Sequence, residues 1–341
     1  MYNVGIIGIG SISEGYGRPD DPNAYCHTGG ILHSAKVRLV SVADLDKTRR
    51  VRFRDKWADR FPGLAYHENA ISLLDDGPPD IVAVCVRGPH HHSVMEQVIS
   101  AGPKAIFLEK PPTCSLQEMD KMTAAANARN IPITVSYSRH WSPHVLRLQE
   151  MVQNGLIGTV EKVIGYVGGT FLSFASHTTD LICQFAGYCP ESVVAQGYYR
   201  EDEQIPDGYE GEPIINGALI KFANGVTGIH VGHDAEHGGF YCDVMGTEGR
   251  VRAGIYIPPF ACGREKKPID LAGQMPEEKS VFTVAYEQIA DYLDGGPLPH
   301  CTNRDFMTVH ELGFASIESI NTGREVMLPA KNRTRKVFAN G

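Results

Sequence analysis

The chain has 341 residues, enough for about two domains, and its 42% hydrophobic and 21% charged residues are the balance of a globular protein, not a disordered one. A net charge of −8 with evenly spread Lys and Arg leaves no electrostatic footprint for nucleic acid or an anionic membrane surface. The longest apolar runs, such as 81–86, are strand-sized and far short of the roughly 20 residues that cross a bilayer.

The N-terminus runs from Met1 directly into an apolar strand without a basic segment, so no export signal is expected and the expected location is cytoplasmic. The eight cysteines show no CxxC or other short ligand spacing, and reduced, mostly buried thiols are expected. Tyr2 to Gly8 reads as a first strand ending in glycine. Val37 to Ala43 is a second, ending at Asp44. Asp80 to Val86, Ala105 to Leu108 and Ile131 to Tyr137 are further continuous apolar runs, as strands buried on both faces require. Helical patterns lie between them, notably Val94 to Ala101 and Leu116 to Arg129, the second opened by the capping box Ser115 to Glu118. This alternation implies an α/β fold, a doubly wound parallel sheet of Rossmann type, over residues 1–139.

From residue 140 to 341 the rhythm is that of an α+β domain with a large, mostly antiparallel sheet. Ser142-Pro143 starts a helix and Asn154-Gly155 stops it. Strands follow at Val160 to Gly168, Ser192 to Tyr199, Ile214 to Phe222, Val226 to Val231, Tyr241 to Met245 and Arg250 to Tyr256. Asn224-Gly225 and Gly246 to Gly249 mark hairpins. Helices return at Tyr286 to Leu293 and Asp305 to Thr322. Lys331 to Gly341 reads as a loosely held tail.

Gly8-Ile9-Gly10-Ser11-Ile12-Ser13 follows the first strand in the pattern of a dinucleotide-binding turn. Gly8 permits the turn, and Gly10, Ser11 and Ile12 bring backbone amides toward a pyrophosphate. Ser13 stands where Gly or Ala is usual. Asp44, at the tip of the second strand, can accept hydrogen bonds from the adenine ribose and repel a 2′-phosphate, so NAD is the expected cofactor. Arg49-Arg50 keeps NADP open. Asp44 lies 34 residues beyond Gly10, against about 20 in the usual pattern. The excess, Glu14 to Gly30, is an insertion: a lid carrying Tyr25 and His27, or a surface excursion.

Ala105 to Pro112 sets Glu109-Lys110-Pro111 at the end of a parallel strand. With the N-terminal dinucleotide turn, Arg139 to Pro143, Gly155 to Gly158, Gly246 to Gly249 and Leu328-Pro329, the chain resembles the glucose–fructose oxidoreductase/inositol dehydrogenase (Gfo/Idh/MocA) family over nearly its whole length. An ammonium at that strand end can polarise a carbonyl or an alcohol about to lose hydride, and the resemblance implies this catalytic role for Lys110. It also implies cofactor contacts from Gly88, Pro89, His92, Glu109 and Lys110, and a substrate contact from Arg139. His90, His91 and His92 are consecutive and cannot easily converge on one ion, so no metal site is expected.

Ser176 reads as an N-cap, setting His177 and Asp180 one helical turn apart on one face. His177 is the expected acid/base, with Asp180 beside it at the substrate. The family carries an aspartate four residues before this histidine, where the present chain has Ser173. His230 and His233 point to opposite strand faces, with His233 expected at the substrate. The resemblance implies an NAD-dependent dehydrogenase acting on a secondary hydroxyl of a sugar, sugar derivative or cyclitol. Redox-neutral glycoside cleavage through transient oxidation, and a non-catalytic dinucleotide-binding regulator, are the alternatives. Because helices suffice for only one face of the second sheet, a homodimer or homotetramer through the other face is expected.

Overall fold

A computed structural model describes residues 1–75, 77–201, 203–232, 240–255, 257–265 and 267–339. Its chain packs as two compact units. The first comprises 1–113, 118–141 and 279–303, and the second 114–117, 142–278 and 304–341. A change of unit falls at 141/142, the short stretch 114–117 lies with the second unit, and a late segment, 279–303, returns to the first.

In the first unit the order is β1 (Tyr2–Ile7), α1 (His27–Leu32), β2 (Val37–Ala43), α2 (Lys47–Trp57), β3 (Ala65–His67), α3 (Ala70–Asp75), β4 (Ile81–Val84), α4 (Gly88–Ala101), β5 (Ala105–Leu108), α5 (Leu116–Asn127) and β6 (Ile133–Val135). The strands form one parallel sheet in the order β3-β2-β1-β4-β5-β6, the doubly wound arrangement expected. All residues of β4 and β5 are buried, which is why these strands are unbroken apolar runs. The strand order reverses between β1 and β4, and ligands of such sheets bind at the carboxyl ends beside that point.

The second unit contains α6 (Pro143–Gln153), β7 (Val160–Tyr166), α7 (Ser176–Ala186), β8 (Pro190–Tyr198), β9 (Ile214–Phe222), β10 (Thr227–Val231), β11 (Tyr241–Gly246), β12 (Gly249–Gly254) and β13 (Phe260–Gly263). After α8 (Val281–Leu293), which belongs to the first unit, it closes with α9 (Arg304–Thr322) and β14 (Val326–Met327). The sheet order is β13-β12-β11-β7-β10-β9-β8-β14. Its pairs are antiparallel except β10 with β7. Gly165 and Gly228 let α7 sit close on this sheet: a Cβ at Gly165 would collide with Thr178, and one at Gly228 would come 2.9 Å from Ile182.

Two expectations change. The tail is fastened rather than loose, because Val337 N–H donates to Cys114 O (2.9 Å) and Phe338 N–H to Glu210 O (2.8 Å), with Val337 and Ala339 fully buried. The segment 14–30 runs over the surface only in its middle, where Tyr16, Arg18 and residues 20–23 are exposed, and is anchored at both ends. Glu14 is buried and accepts from Arg52 (2.8 Å), Lys56 (3.2 Å) and Trp57 Nε1 (3.4 Å), and Gly30 leaves room for Phe282, with which a Cβ would collide.

Candidate active site

The dinucleotide turn forms at the carboxyl end of β1. Gly8 has φ +92°, and a Cβ there would lie 2.7 Å from the Cys85 carbonyl carbon, so the position requires glycine twice over. A Cβ on Gly10 would meet nothing within 4 Å; this is open space of the kind a phosphate needs. The turn enters a single turn of π-helix, Ser11–Gly15, not a long helix, with Ser13 Oγ donating to Gly10 O (2.9 Å). Ser11 is exposed and Ile12 half-buried. A full helix starts only at His27.

Asp44 sits directly after β2 and is 9% exposed. Its Oδ2 accepts from Ile9 N–H (2.9 Å) and its Oδ1 from Asp46 N–H (2.9 Å), tying the ends of β1 and β2 together. Arg49 Nη1 lies 3.6 Å from Asp44, while Arg50 donates to Asp44 O (2.6 Å) and pairs with Glu68 (3.5 Å). The two arginines are therefore engaged within this loop. Glycine turn, open space and a buried carboxylate at the tip of β2 together fit a dinucleotide.

Gly88 and Pro89 open α4, where a proline in the first turn costs no helical hydrogen bond. His92 lines a groove between α4 and α5, 3.7 Å from Glu96. The neighbour that turns inward is His91, which the sequence reading passed over. Its Nδ1 is 2.7 Å from Pro111 O and its Nε2 2.8 Å from Val86 O, so it joins the Glu-Lys-Pro loop to the end of β4. Burial holds its imidazole below the usual range.

Glu109 and Lys110 follow β5 directly. Lys110 is half-buried, and Glu109 is buried with Oε1 2.9 Å from His27 Nε2 and Oε2 accepting from Lys110 N–H (3.2 Å). Burial alone would push the Glu109 carboxyl up. The His27 hydrogen bond, with Lys110, outweighs it and holds the group below the ordinary carboxylate range. Arg139, also buried, donates to Ser138 Oγ (3.1 Å) and lies 5.7 Å from the Tyr25 ring, whose hydroxyl hydrogen-bonds Ser138.

In the second unit α7 carries His177 and Asp180, both buried, at the expected spacing of three. Asp180 Oδ1 accepts from Tyr188 Oη (3.0 Å), and the His177 ring meets Phe240 edge-on at 5.7 Å. Ser176 is not the N-cap. Helical backbone already begins with a π-turn at Phe171–Ala175 and runs on into α7. The buried Glu212 carboxylate secures that start. It accepts from Leu172 N–H, from Ser173 N–H (2.7 Å) and from Ser173 Oγ (2.6 Å). A carboxylate thus does reach the turn where the family carries its aspartate, delivered from the loop before β9. No local sequence pattern linked 212 to 173. Burial pushes the Glu212 carboxyl up, and its uncharged donors only partly oppose this.

His230 is an interior residue: its Nε2 is 2.9 Å from Thr179 Oγ1, and burial pushes the imidazole down to about 3. His233, His237 and Tyr256 lie outside the described residues. The eight cysteines are free thiols. Among the described residues no helix is long and apolar enough to cross a membrane.

Residues 2–137 match the profile of an oxidoreductase family with an NAD-binding Rossmann fold. A myo-inositol 2-dehydrogenase of Thermotoga maritima is 23% identical, covering 95% of this chain and 98% of its own length. In fold, the chain is similar to an aldose-aldose oxidoreductase from Caulobacter crescentus crystallised with glycerol (TM-score 0.78, 17% identity, 96% and 99% of the two chains). It is likewise similar to an Agrobacterium radiobacter oxidoreductase in complex with NAD+, L-tartaric acid and magnesium (TM-score 0.76, 18% identity, 96% and 98%). The matched residues contain every strand of the parallel sheet, the glycine turn and Glu109-Lys110-Pro111, so it is the dinucleotide-type unit of this chain that is similar to the Gfo/Idh/MocA oxidoreductases.

Proposed function

We propose that this protein is an NAD-dependent dehydrogenase that oxidises a secondary hydroxyl of a sugar, sugar derivative or cyclitol. The observation that carries the reading is the pairing, in one unit, of a glycine turn closed by Asp44 with a lysine at the carboxyl end of β5. Gly8, Gly10, Ser11 and Ile12 would hold the pyrophosphate, and Asp44 the adenine ribose. NAD is favoured over NADP because the carboxylate repels a 2′-phosphate while Arg49 and Arg50 are already engaged by Asp44 and Glu68. Gly88, Pro89 and Glu109 belong to the cofactor side of this reading; His92, facing the α4–α5 groove, is the weakest of the cofactor contacts.

Bound NAD would supply the hydride acceptor. Lys110 contributes an ammonium to polarise the carbinol oxygen, His177 takes the hydroxyl proton, and Asp180 and Arg139 bind substrate hydroxyls. The relatives named for inositol and aldose chemistry support a polyol substrate. The test is growth of absorbance at 340 nm with NAD across a panel of inositols, sugars and glycosides, with aglycone release followed in parallel. Sustained growth on one polyol is expected; NAD-dependent aglycone release without net reduction would replace this reading with redox-neutral cleavage. Asp44→Ala should weaken NAD binding and shrink the NAD/NADP preference about tenfold, the scale of a lost charge-assisted hydrogen bond.

The chain is further proposed to self-associate through the outer face of its eight-stranded sheet. There Val194, Leu219, Ile229 and Ile164 are paired in register across four strands, with Val194 and Leu219 exposed at 40% and 45%. Leu219→Glu should lower the mass measured by light scattering from that of an oligomer to that of a single chain.

A further inference from the structure

The segment 14–30 lengthens the first crossover, and its one deeply placed polar ring is His27. That ring is fully buried among Phe107, Phe282 and Tyr286, at centroid distances of 4.8, 4.6 and 5.8 Å. Both of its nitrogens are used. Nε2 is 2.9 Å from Glu109 Oε1, and Nδ1 is 2.8 Å from Tyr286 Oη. An ionised carboxylate can only accept, so Nε2 carries a proton. Burial raises the Tyr286 phenol well above its ordinary range, so it stays protonated and can donate to Nδ1. Every donor and acceptor of the ring is then satisfied in a direction that ends on Glu109.

Glu109 in turn is the residue before Lys110, and the two charges act on each other. An isolated carboxylate in this apolar enclosure would take up a proton and its charge would vanish. The other titratable groups around it cannot prevent that. Burial pushes the Cys85 thiol well up and the Cys26 thiol to about 11, and His91 is held below the usual imidazole range with both ring nitrogens directed at carbonyls.

We propose that His27 is a positioning residue for Lys110: with Tyr286 it forms a buried hydrogen-bonded relay that keeps Glu109 as the fixed counter-charge behind the lysine. The inserted segment is the means of delivering it. α1 begins at His27, capped by Cys26 Sγ, which accepts from Gly29 N–H (3.3 Å). The relay acts through Lys110 and so rests on the reading of that lysine as catalytic, but its physical content is measurable without turnover.

The experiment is competitive labelling of the native, cofactor-free protein with acetic anhydride across pH. Peptide mass spectrometry follows Lys110, with the mostly exposed Lys104 as internal reference. In Glu109→Gln and in His27→Phe the half-labelling pH of Lys110 should fall by about one unit, making labelling about tenfold faster below the midpoint. Lys104 should not move. His27→Gln, which retains an N–H donor for Glu109, should stay near the wild type. An unchanged Lys110 midpoint in Glu109→Gln overturns the proposal, whether or not His27→Phe folds. An equal shift in His27→Gln and His27→Phe also overturns it, since the retained donor would then count for nothing. Full turnover of Lys110→Ala alongside the expected labelling shifts would remove the catalytic reading of Lys110 and leave the relay standing.

Discussion

Each unit holds a buried glutamate next to a candidate site segment, Glu109 before Lys110 and Glu212 against Ser173, and the two are held in opposite ways. Glu109 faces a histidine and precedes a lysine, and its carboxyl is held below the ordinary range. Glu212 faces only backbone N–H groups and hydroxyls, and its carboxyl is pushed above it. Both are fully enclosed, so burial is not what separates them. The difference shows that several good neutral hydrogen bonds fail to offset the desolvation of a carboxylate, whereas one imidazole and one ammonium reverse it. It also separates two tasks: Glu109 serves as a charge, Glu212 as an acceptor that fastens the start of α7.

The largest effect should come from removing the charge that Glu109 serves. Lys110→Ala is expected to lower kcat by about a thousandfold, within the span typical of a general acid–base or electrostatic group, with NAD affinity nearly retained. Steady-state kinetics together with a dinucleotide titration check this. Near-normal kcat would break the assignment of function to the Glu109 side of the comparison.

Next is the partner itself. His27→Phe should cost about 3 kcal/mol in urea unfolding of the cofactor-free protein, the scale for leaving a buried charge unpaired. Glu109→Gln in the same background should recover part of that loss. If the double variant is no more stable than His27→Phe, the two residues are not energetically coupled and the contrast with Glu212 dissolves.

The smallest and most diagnostic change is Glu212→Gln. Near neutral pH it should move stability by less than about 1 kcal/mol, because the amide oxygen still accepts from the two N–H groups. The pH dependence separates the glutamates by sign. The depressed Glu109 contributes stability that is present above the unfolded carboxylate value and lost as pH falls through its folded value. The raised Glu212 contributes stability present below the unfolded value and lost as pH rises through its folded value. Urea midpoints across a pH series should therefore lose a slope below the ordinary carboxylate value in Glu109→Gln and a slope of opposite sign above that value in Glu212→Gln. Slopes of the same sign would show that the two carboxyls are not held differently.

The sequence by itself determined what depends on neighbours in the chain. Unbroken apolar runs specified β4 and β5, and the glycine turn with Asp44 at a strand tip specified the cofactor chemistry. A spacing of three put His177 and Asp180 on one helix. Each is a short-range signal, since strand and helix periods repeat within a few residues. Only the tertiary structure decided which buried charge meets which partner. His27 reaches Glu109 across 82 positions and Glu212 reaches Ser173 across 39. It likewise paired β10 with β7 in parallel and returned residues 279–303 to the first unit. Such pairings carry no periodic signature. They arise because burial makes an unsatisfied polar group costly, and the donor or acceptor that relieves it comes from whichever element the sheet order and packing bring alongside.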